Sequence, residues 1–231
     1  MRLDKLLCET KFISRSEAKE KIKKGLVEVN GKTLKDPSVI VDENNDSILF
    51  CGDVINYEKY VYYMLNKPSG YVSAVKDNQS PTVIDILKEE GRNDLFPVGR
   101  LDKDTVGLLI ITNDGELSHH LTSPKHHVEK TYYIKSALTL SRDNIEALEA
   151  GIEIEDGVIT KPAKVKIISE YESELTISEG MYHQVKRMYK AIGNEVLFLK
   201  RLSIGNVYLD NNLSEGNYRR LTEKEINELK G

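Results

Sequence analysis

The 231-residue sequence lacks a long apolar run and contains only two cysteines. The apolar stretch that ends at Ile111 is far too short to span a bilayer. Cys8 and Cys51 lie in separate segments without Cys-x-x-Cys spacing, which argues against a disulfide framework or a zinc ribbon, and we expect both in the core. The first ten residues hold no continuous apolar stretch and do not resemble a signal peptide. We therefore expect a globular cytoplasmic protein.

The sequence also lacks an overall excess of basic residues. Its formal net charge of −4 argues, taken alone, against a nucleic-acid partner. The charge is unevenly distributed, because residues 1–35 carry ten Lys or Arg against five Asp or Glu. Residues 36–58 then carry six acidic residues and no basic one. The first 35 residues therefore form a basic segment that the total charge conceals.

Two short helices are predicted within this basic segment. Leucines with i, i+3 and i+4 spacing in residues 3–7 predict the first, and the second begins at the capping-box pair Ser14 and Glu17 and ends at Gly25. Its inward side is expected to consist of Ala18, Ile22 and Leu26. Arg15, Lys19 and Lys23 recur every four residues on another face. A solvated face is the usual explanation of such a stripe, whereas a compact unit behind it favours contact with a phosphate backbone.

Two hairpins follow the helices. Apolar and polar residues alternate around Asn30-Gly31, and residues 47–57 predict a second strand pair around Gly52-Asp53. The segment RLDKLLCETKFISRSEAKEKIKKGLVEVNGK resembles an S4-type RNA-binding domain, in which two helices and a small sheet present basic residues to structured RNA. For this domain, expected at residues 1–58, we predict RNA contacts by five side chains, namely Arg2, Lys5, Arg15, Lys19 and Lys23.

A larger domain is expected at residues 59–231, where a new strand begins in YVYYMLNKPSGYVSA. Strand-like runs alternate only irregularly with helical patterns downstream, which favours an α+β fold over a doubly wound parallel sheet. We expect a mixed, largely antiparallel central sheet flanked by helices. The strand-like runs are 108–112, 131–135, 164–168, 174–177 and 196–199, and the helical patterns are 84–90, 141–151 and 183–192.

A short polar elbow in VGRLDKDTVGLLIITNDGEL precedes the most apolar of these strands. It brings Arg100, Asp102 and Asp104 to a place where a carboxylate can be partly shielded and still be reached by a ligand. A nearby arginine would keep such a carboxylate ionised, as a nucleophile or base requires. Ordinary loop chemistry is the alternative, because aspartates before threonine and glycine often accept hydrogen bonds from local backbone amides.

Five segments occur in the order and spacing of the pseudouridine synthase motifs, namely LNKPSGY, GRLDKDTVGLL, EKTY, EGMYHQVKRM and RLSIG. Over essentially its whole length the chain resembles the RsuA-like branch of this family, bacterial enzymes with an S4 domain before the catalytic domain. The resemblance implies an isomerase that flips a uridine of ribosomal RNA out of its stack and converts it to pseudouridine without a cofactor. LTSPKHHVEKTY and EGMYHQVKRM resemble the small-subunit (16S) enzyme that forms pseudouridine 516 more than its large-subunit (23S) relatives.

The resemblance also assigns roles to individual residues. Asp102 matches the catalytic aspartate that attacks C1′ of the ribose or C6 of the base. Asp104 competes for this role, and only the register of the motif selects Asp102. Lys186 matches the cation that pairs with the aspartate, where many members have arginine, and Arg187 is its nearest rival.

Tyr132 matches the tyrosine that stacks on the flipped base, and Ile204 matches an aliphatic residue beneath that base. By pattern alone Tyr132 is a core residue that shares a strand face with Val128 and Ile134. Further substrate contacts, to phosphates, are expected from four basic side chains, namely Arg100, Lys67, Lys130 and Arg201.

Several alternatives stay open at this point. The related 23S enzyme and a non-catalytic S4-type ribosome-assembly factor both fit the basic segment. A hydrolase with Asp102 and Asp104 as paired acid and base is disfavoured, because residues two apart on an extended loop tend to point apart. The histidines at 119–120 and 126–127 lack the spacing of a metal site, and no metal is expected. We expect a monomer whose partner is ribosomal RNA or a small-subunit assembly intermediate.

Overall fold

The computed structural model describes residues 1–11, 13–43, 45–55, 57–155 and 157–231. The chain divides into two compact units. The first comprises residues 1–60 with 88–94, and the second comprises residues 61–87 with 95–231. No helix formed by the described residues is long and apolar enough to cross a bilayer.

The first unit contains two helices and a four-stranded antiparallel sheet, in the order β2-β1-β3-β4. Its elements are α1 (Leu3–Lys11), α2 (Arg15–Lys23), β1 (Val27–Val29), β2 (Lys32–Leu34), β3 (Ile48–Phe50) and β4 (Asp53–Val54). Ser14 caps α2 by accepting a hydrogen bond from the Glu17 backbone amide. Asn30 and Gly31 both have positive φ in the β1–β2 turn. The two helices and two hairpins predicted from the sequence are therefore confirmed.

Two of our predictions for the core of this unit are wrong. Leu26 is 38% exposed, because the left-handed backbone at Gly25 ends the helical repeat that would have carried it inward. Cys51 is exposed as well, since it occupies the turn between β3 and β4, whereas Cys8 is half-buried and packs against the core. Ala18 and Ile22 are fully buried with the leucines of α1, as predicted.

The second unit is built around a nine-stranded sheet with helices on both faces. Its elements are β5 (Tyr62–Lys67), α3 (Val83–Ile86), β6 (Phe96–Pro97), β7 (Val106–Thr112), α4 (Gly115–Thr122), β8 (Lys130–Ser136), α5 (Arg142–Ala150), β9 (Glu153–Glu155), β10 (Val158–Ile159), β11 (Lys164–Ser169), β12 (Glu172–Ile177), α6 (Gln184–Ala191), β13 (Val196–Ile204), β14 (Val207–Tyr208), β15 (Tyr218–Arg220) and α7 (Glu223–Lys230).

The central sheet is mixed and mostly antiparallel, which confirms the predicted fold class. Its main order is β11-β12-β8-β13-β7-β5-β15, and among the described strands only β13 and β7 pair in parallel. β5 and β7 are buried along their whole length. In β5, Tyr63 and Leu65 enter one core cluster and Tyr62 and Met64 enter another, so the central strands are covered on both faces.

Gly107 determines how closely β7 approaches β13. Its φ is +101°, and a Cβ built on it would lie 2.3 Å from the backbone oxygen of Arg201. Only glycine allows this approach. The close pairing places Val106 and Gly107, at the start of β7, beside Lys200 and Arg201 of β13.

Candidate active site

The polar elbow before β7 is held by backbone contacts on two sides. The Ser73 hydroxyl donates a hydrogen bond to the Leu101 carbonyl and accepts one from the Leu101 amide, both at 3.0 Å. The Gly70 amide donates to the Lys103 carbonyl at 2.8 Å. Residues 69–73 therefore fix the path of the chain on both sides of Asp102.

Lys67 holds the same elbow from within the protein. Its side chain is fully buried, and its ammonium donates to the carbonyls of Pro68 and Lys103 at 3.2 Å and of Thr105 at 2.8 Å. Burial lowers the pKa of Lys67 to about 8. The phosphate contact predicted for Lys67 has no support in this geometry, because backbone oxygens use the three hydrogen-bond donors of its ammonium.

Lys186 of α6 lies between two carboxylates of the elbow. Its Nζ is 3.1 Å from Asp102 Oδ2 and 2.6 Å from Asp104 Oδ1. We call Asp102, Asp104, Lys186 and the neighbouring His183 the Asp102 cluster. The expectation that the two aspartates point apart is wrong, because the chain turns here and the Thr105 amide donates to the Asp102 carbonyl.

The charges of this cluster determine the protonation of Asp104. Burial alone would raise the pKa of Asp104, but the hydrogen bond and charge of Lys186 outweigh it and lower that pKa. Burial also opposes the charge on Lys186, and the two carboxylates together raise its pKa. A hydrolytic acid and base pair needs one carboxyl group with a raised pKa. The lowered pKa of Asp104 therefore argues against Asp104 as the acid in the hydrolase alternative.

His183 was missed as a site residue because the sequence pattern places it at the start of a helix. Its Nε2 lies 3.5 Å from Asp102 Oδ1. The residue has left-handed backbone angles, with φ +49° and ψ +31°, directly before α6. Its ring stacks on Tyr182 with centroids 3.8 Å apart, and Tyr182 is 71% exposed. The Tyr-His pair in EGMYHQVKRM, immediately before a basic helix, was the sequence signal for this contact.

A cavity of about 150 Å³ opens beside Asp102. The register between β8 and β13 places Tyr132 opposite Arg201 and Lys130 opposite Ile204. Residues directly opposite each other in an antiparallel pair present their side chains on the same face of the sheet. All four line the cavity, and both Tyr132 and Ile204 are buried.

Of the two residues predicted to share a strand face with Tyr132, only one does so. Ile134 is fully buried in the same core cluster as Tyr132, as the period-two pattern predicts. Val128 lies before β8 begins and packs against the other core cluster. β8 therefore begins later in the chain than the pattern predicts.

Cations outnumber acids around the cavity. Four basic side chains line it, namely Arg100, Lys130, Lys186 and Arg201, against the acids Asp102 and Glu179. Arg100 is exposed and forms no ion pair among the described residues, so the cation beside Asp102 is Lys186 rather than the expected arginine. Arg201 is 4% exposed, and its Nε donates to the Leu108 carbonyl at 2.8 Å.

Arg187 is directed away from this cavity. Its Nε lies 3.3 Å from Glu155 Oε2 of β9, and its Nη1 donates to the Tyr182 carbonyl at 3.4 Å. Neighbouring residues of a helix point about 100° apart, so α6 cannot present both Lys186 and Arg187 to Asp102. The substrate contact predicted for Arg187 has no support in this geometry.

In the first unit, Arg2 and Arg15 both contact a buried aspartate. The Arg2 Nε and Nη2 lie 3.0 Å from the two oxygens of Asp4, and the Arg15 Nε lies 3.4 Å from Oδ2. Asp4 is 0% exposed. The hydrogen bond from Arg2 is the largest of the effects that lower the pKa of Asp4 to about 2, against the opposing effect of burial. We call these three residues the Asp4 cluster.

The other predicted RNA contacts lie on the surface of α1 and α2. Lys5 is 3.6 Å from Glu9, one turn along its helix. Lys19 and Lys23 are exposed and form no ion pair with any described residue. The two lysines therefore leave their charges available to a partner, whereas Arg2 and Arg15 also stabilise the fold.

The histidines near residue 120 form a ring cluster. The His126 ring lies 4.5 Å from that of His120 and 6.4 Å from that of His119, and His127 Nδ1 is 2.7 Å from Lys161 Nζ. Among the described residues, no three His, Cys, Asp or Glu side chains are arranged to hold a metal ion.

Two family models match the sequence. The model described as RNA pseudouridylate synthase matches residues 61–191, and that of the S4 domain matches residues 1–47.

Curated relatives match over nearly the full length. An RNA pseudouridine synthase of Bacillus subtilis, named YtzG and described as uncharacterized, is 49% identical over 99% of this chain and 98% of its own length. The ribosomal small subunit pseudouridine synthase A of Haemophilus influenzae is 43% identical, over 99% of both chains. Its Escherichia coli counterpart is 40% identical over 98% of both chains.

Solved structures share the architecture. A crystal structure of a pseudouridylate synthase has a TM-score of 0.71 and 43% identity, with 99% of both chains covered. The archaeal box H/ACA sRNP Nop10-Cbf5 complex has a TM-score of 0.50 and 19% identity, covering 68% of this chain and 52% of that chain, which shows a shared fold alone.

Proposed function

The chain belongs to the RNA pseudouridylate synthase family, and we propose that it converts one uridine of small-subunit ribosomal RNA to pseudouridine, with Asp102 as the attacking group. The observation that carries the proposal is the position of the Asp102 carboxylate, 3.1 Å from Lys186 and at the edge of a cavity lined by Tyr132 and Ile204. The names of the relatives from Haemophilus influenzae and Escherichia coli support the small-subunit substrate, and uridine 516 of 16S RNA is the site we propose.

The target uridine must leave its stack before Asp102 can reach it. A base in folded RNA exposes neither C1′ nor C6 to a side chain, and extrusion costs a few kcal/mol. Contacts to phosphates can offset this cost. The exposed Lys19 and Lys23 of the first unit are the residues we propose for those contacts, together with Arg100 at the cavity.

Asp102 then attacks the extruded nucleotide. Attack at C1′ forms a C1′–O bond and breaks the bond from C1′ to N1, and attack at C6 instead adds the carboxylate across the C5–C6 double bond. In either route the C1′–N1 bond breaks, the uracil turns and C5 bonds to C1′. The bond between Asp102 and the nucleotide then breaks and restores the carboxylate, and the proton on C5 is lost while N1 gains one. The net change is an isomerisation that needs neither an oxidant nor a cofactor.

Lys186 and Tyr132 prepare this attack. The Lys186 ammonium orients the Asp102 carboxylate and offsets its charge in the cavity. The Tyr132 ring is rigid because it lies in β8 and packs in the core, so it can stack on the flipped base without losing further freedom. Ile204 supplies an apolar surface to the same cavity.

The proposal is tested by mapping pseudouridines in ribosomal RNA from cells with the protein, without it, and with Asp102→Asn alone. We expect one 16S pseudouridine to vanish in the last two strains, while purified Asp102→Asn still binds RNA. An unchanged 16S RNA and a missing 23S pseudouridine would support the large-subunit alternative. No change at all would support a non-catalytic assembly factor, and free uracil released by the purified protein would support a hydrolase.

A further inference from the structure

Two buried polar atoms at the cavity have no hydrogen-bond partner in the described part of the chain. They are Nη2 of Arg201 and Oγ1 of Thr105, and both residues line the cavity. The Lys130 ammonium, which lines it as well, forms no hydrogen bond or ion pair with any described residue. Buried polar groups are nearly always hydrogen-bonded, so these two unpaired buried atoms indicate a ligand that supplies their partners, and the half-buried ammonium of Lys130 beside them is unpaired as well.

The sheet register places the two cations beside the surfaces proposed to hold the base. Lys130 and Tyr132 are two residues apart on β8 and therefore share a face, and Arg201 lies opposite Tyr132 on β13. The Arg201 guanidinium cannot turn away, because its Nε donates to the Leu108 carbonyl of β7 at 2.8 Å. Its unpaired Nη2 is thus held in place.

The acids of the cavity do not neutralise Lys130 and Arg201. Asp102 is contacted by Lys186 and His183. Glu179 Oε1 accepts hydrogen bonds from the Gln184 side chain at 2.7 Å and from the Lys161 amide at 2.9 Å. Burial, followed by the charge of Arg201, lowers the pKa of Lys130 to about 8. Two neighbouring cations that repel each other and lack an acid are arranged to receive negative charge.

We propose that Lys130 and Arg201 form a subsite that donates hydrogen bonds to the carbonyl oxygens of the target uracil and stabilises the negative charge those oxygens carry during the reaction. This inference rests on the proposed function. It assigns to these residues a role in the chemical step, in place of the phosphate contacts expected from the sequence.

The chemistry requires such a subsite by either route of attack. When Asp102 attacks C1′, the electron pair of the C1′–N1 bond passes into the uracil and is shared by N1, O2 and O4. When it attacks C6, the electron pair of the C5–C6 bond moves towards C5 and O4. Donors placed where charge develops, in a site shielded from water, typically contribute about 100- to 1,000-fold in rate.

The burial of Arg201 favours the base over a phosphate. A phosphodiester carries a ribose on each side, and a side chain that is only 4% exposed is poorly placed to meet it. A uracil ring is planar, with apolar faces for Tyr132 and Ile204 and with oxygens along its edge. The remaining unpaired atom, Thr105 Oγ1, can accept the N3–H that lies between those oxygens.

The test compares Lys130→Met with the wild type on RNA that carries uridine or 5-fluorouridine at the target position. Fluorine withdraws electrons from the ring, so the bound base needs less help to carry negative charge. Because 5-fluorouridine has no proton on C5, its reaction stops before the last step, and the assay compares the steps up to that point. Single-turnover consumption of the target nucleoside is followed by chromatography of nuclease digests. We expect Lys130→Met to slow the reaction of uridine by about 100-fold and that of 5-fluorouridine by a factor at least about threefold smaller.

Two further variants control for folding and charge. Lys130→Arg keeps the cation and should recover most of the rate on uridine. Lys130→Gln, which removes the charge and keeps a polar side chain, replaces Lys130→Met if the latter does not fold. Lys166→Met removes an exposed lysine of β11 and should leave both rates unchanged. RNA affinity and its salt dependence should be the same in Lys130→Met as in the wild type.

Equal slowing of both substrates would overturn the inference, because a structural role does not depend on the electronics of the ring. A weaker affinity with a smaller salt dependence would overturn it in favour of a phosphate contact. Failure of the wild type to convert uridine would instead overturn the proposed function.

Discussion

Two carboxylate clusters in this chain use the same kind of ion pair for different purposes. In the Asp4 cluster, one aspartate that is 0% exposed forms ion pairs with two arginines, and all three residues lie within the first 15 residues of the chain. In the Asp102 cluster two aspartates share one lysine from a helix more than 80 residues away, and Asp102 keeps 27% of its side chain exposed. The first cluster is fully paired, and the second leaves negative charge at a cavity.

A reactive carboxylate in this fold needs an oxygen that a ligand can reach. A buried acid with two cations is well suited to hold a helix in place, and a ligand cannot reach it. An acid that shares one cation keeps an accessible oxygen, and its position depends on that cation and on the supporting loop together. Four sets of variants test this contrast, and their expected effects decrease in the order given.

Removing the shared cation should have the largest effect. We expect Lys186→Met to lower the single-turnover rate by about 100- to 1,000-fold, because Asp102 loses the group that orients it. Lys190→Met, one turn further along α6 and 3.7 Å from Glu155, is the matched control and should keep the wild-type rate. An undiminished rate in Lys186→Met would show that the ion pair between Lys186 and Asp102 only stabilises the fold, as the ion pairs of Asp4 do.

Removing the support of the elbow should affect both stability and rate. Lys67→Met leaves three backbone carbonyls without their buried donor, and we expect the free energy of unfolding to fall by about 2–4 kcal/mol. Urea unfolding measures this loss, and a rate assay on the folded fraction should show slower chemistry because Asp102 is displaced. A stable variant with full rate would refute the positioning role of Lys67.

The contribution of the Asp4 cluster to stability should depend on pH in the acid range. The pKa of Asp4 is about 2 in the folded chain against an ordinary 3.8, so its stabilisation is complete above pH 3.8 and is lost as the pH falls towards 2. We expect Asp4→Asn to be less stable than the wild type at neutral pH, with the difference shrinking through that acid range. Activity per folded molecule should not change. A difference that is independent of pH would contradict the ionic role.

The smallest effects should come from the lysines that have no acid partner. Lys19→Ala and Lys23→Ala should each weaken RNA binding by a few fold and reduce the salt slope by about 1, since each is proposed to contact one phosphate. Lys166→Ala in the other unit is the matched control. The rate on bound RNA should be insensitive to salt, and equal salt sensitivity of binding and chemistry would contradict this division.

Local elements of the fold were predictable because neighbouring residues determine them. Ser14 caps α2, and Asn30-Gly31 turns the first hairpin, as their sequence signals indicate. α7 was missed although Thr222 and Glu225 form a capping box, and α4 was missed although Asp114 caps it. For the central sheet, the sequence predicted the mixed, mostly antiparallel class but not the order of the strands.

The candidate site was less predictable, because its contacts join distant segments. Only the family motif selects Asp102 over Asp104. The backbone role of Lys67 could not be foreseen, since its acceptors at positions 68, 103 and 105 converge only in the folded chain. The orientation of Arg187 towards Glu155 likewise depends on where β9 lies against α6.

The most direct test compares Asp102→Asn with Asp104→Asn in single-turnover conversion of the target uridine. Both variants remove one carboxylate from Lys186, and only one removes the proposed attacking group. We expect Asp102→Asn to abolish pseudouridine formation while RNA binding persists, and Asp104→Asn to retain measurable conversion. Conversion at the wild-type rate by Asp102→Asn, or its loss in Asp104→Asn alone, would contradict the account.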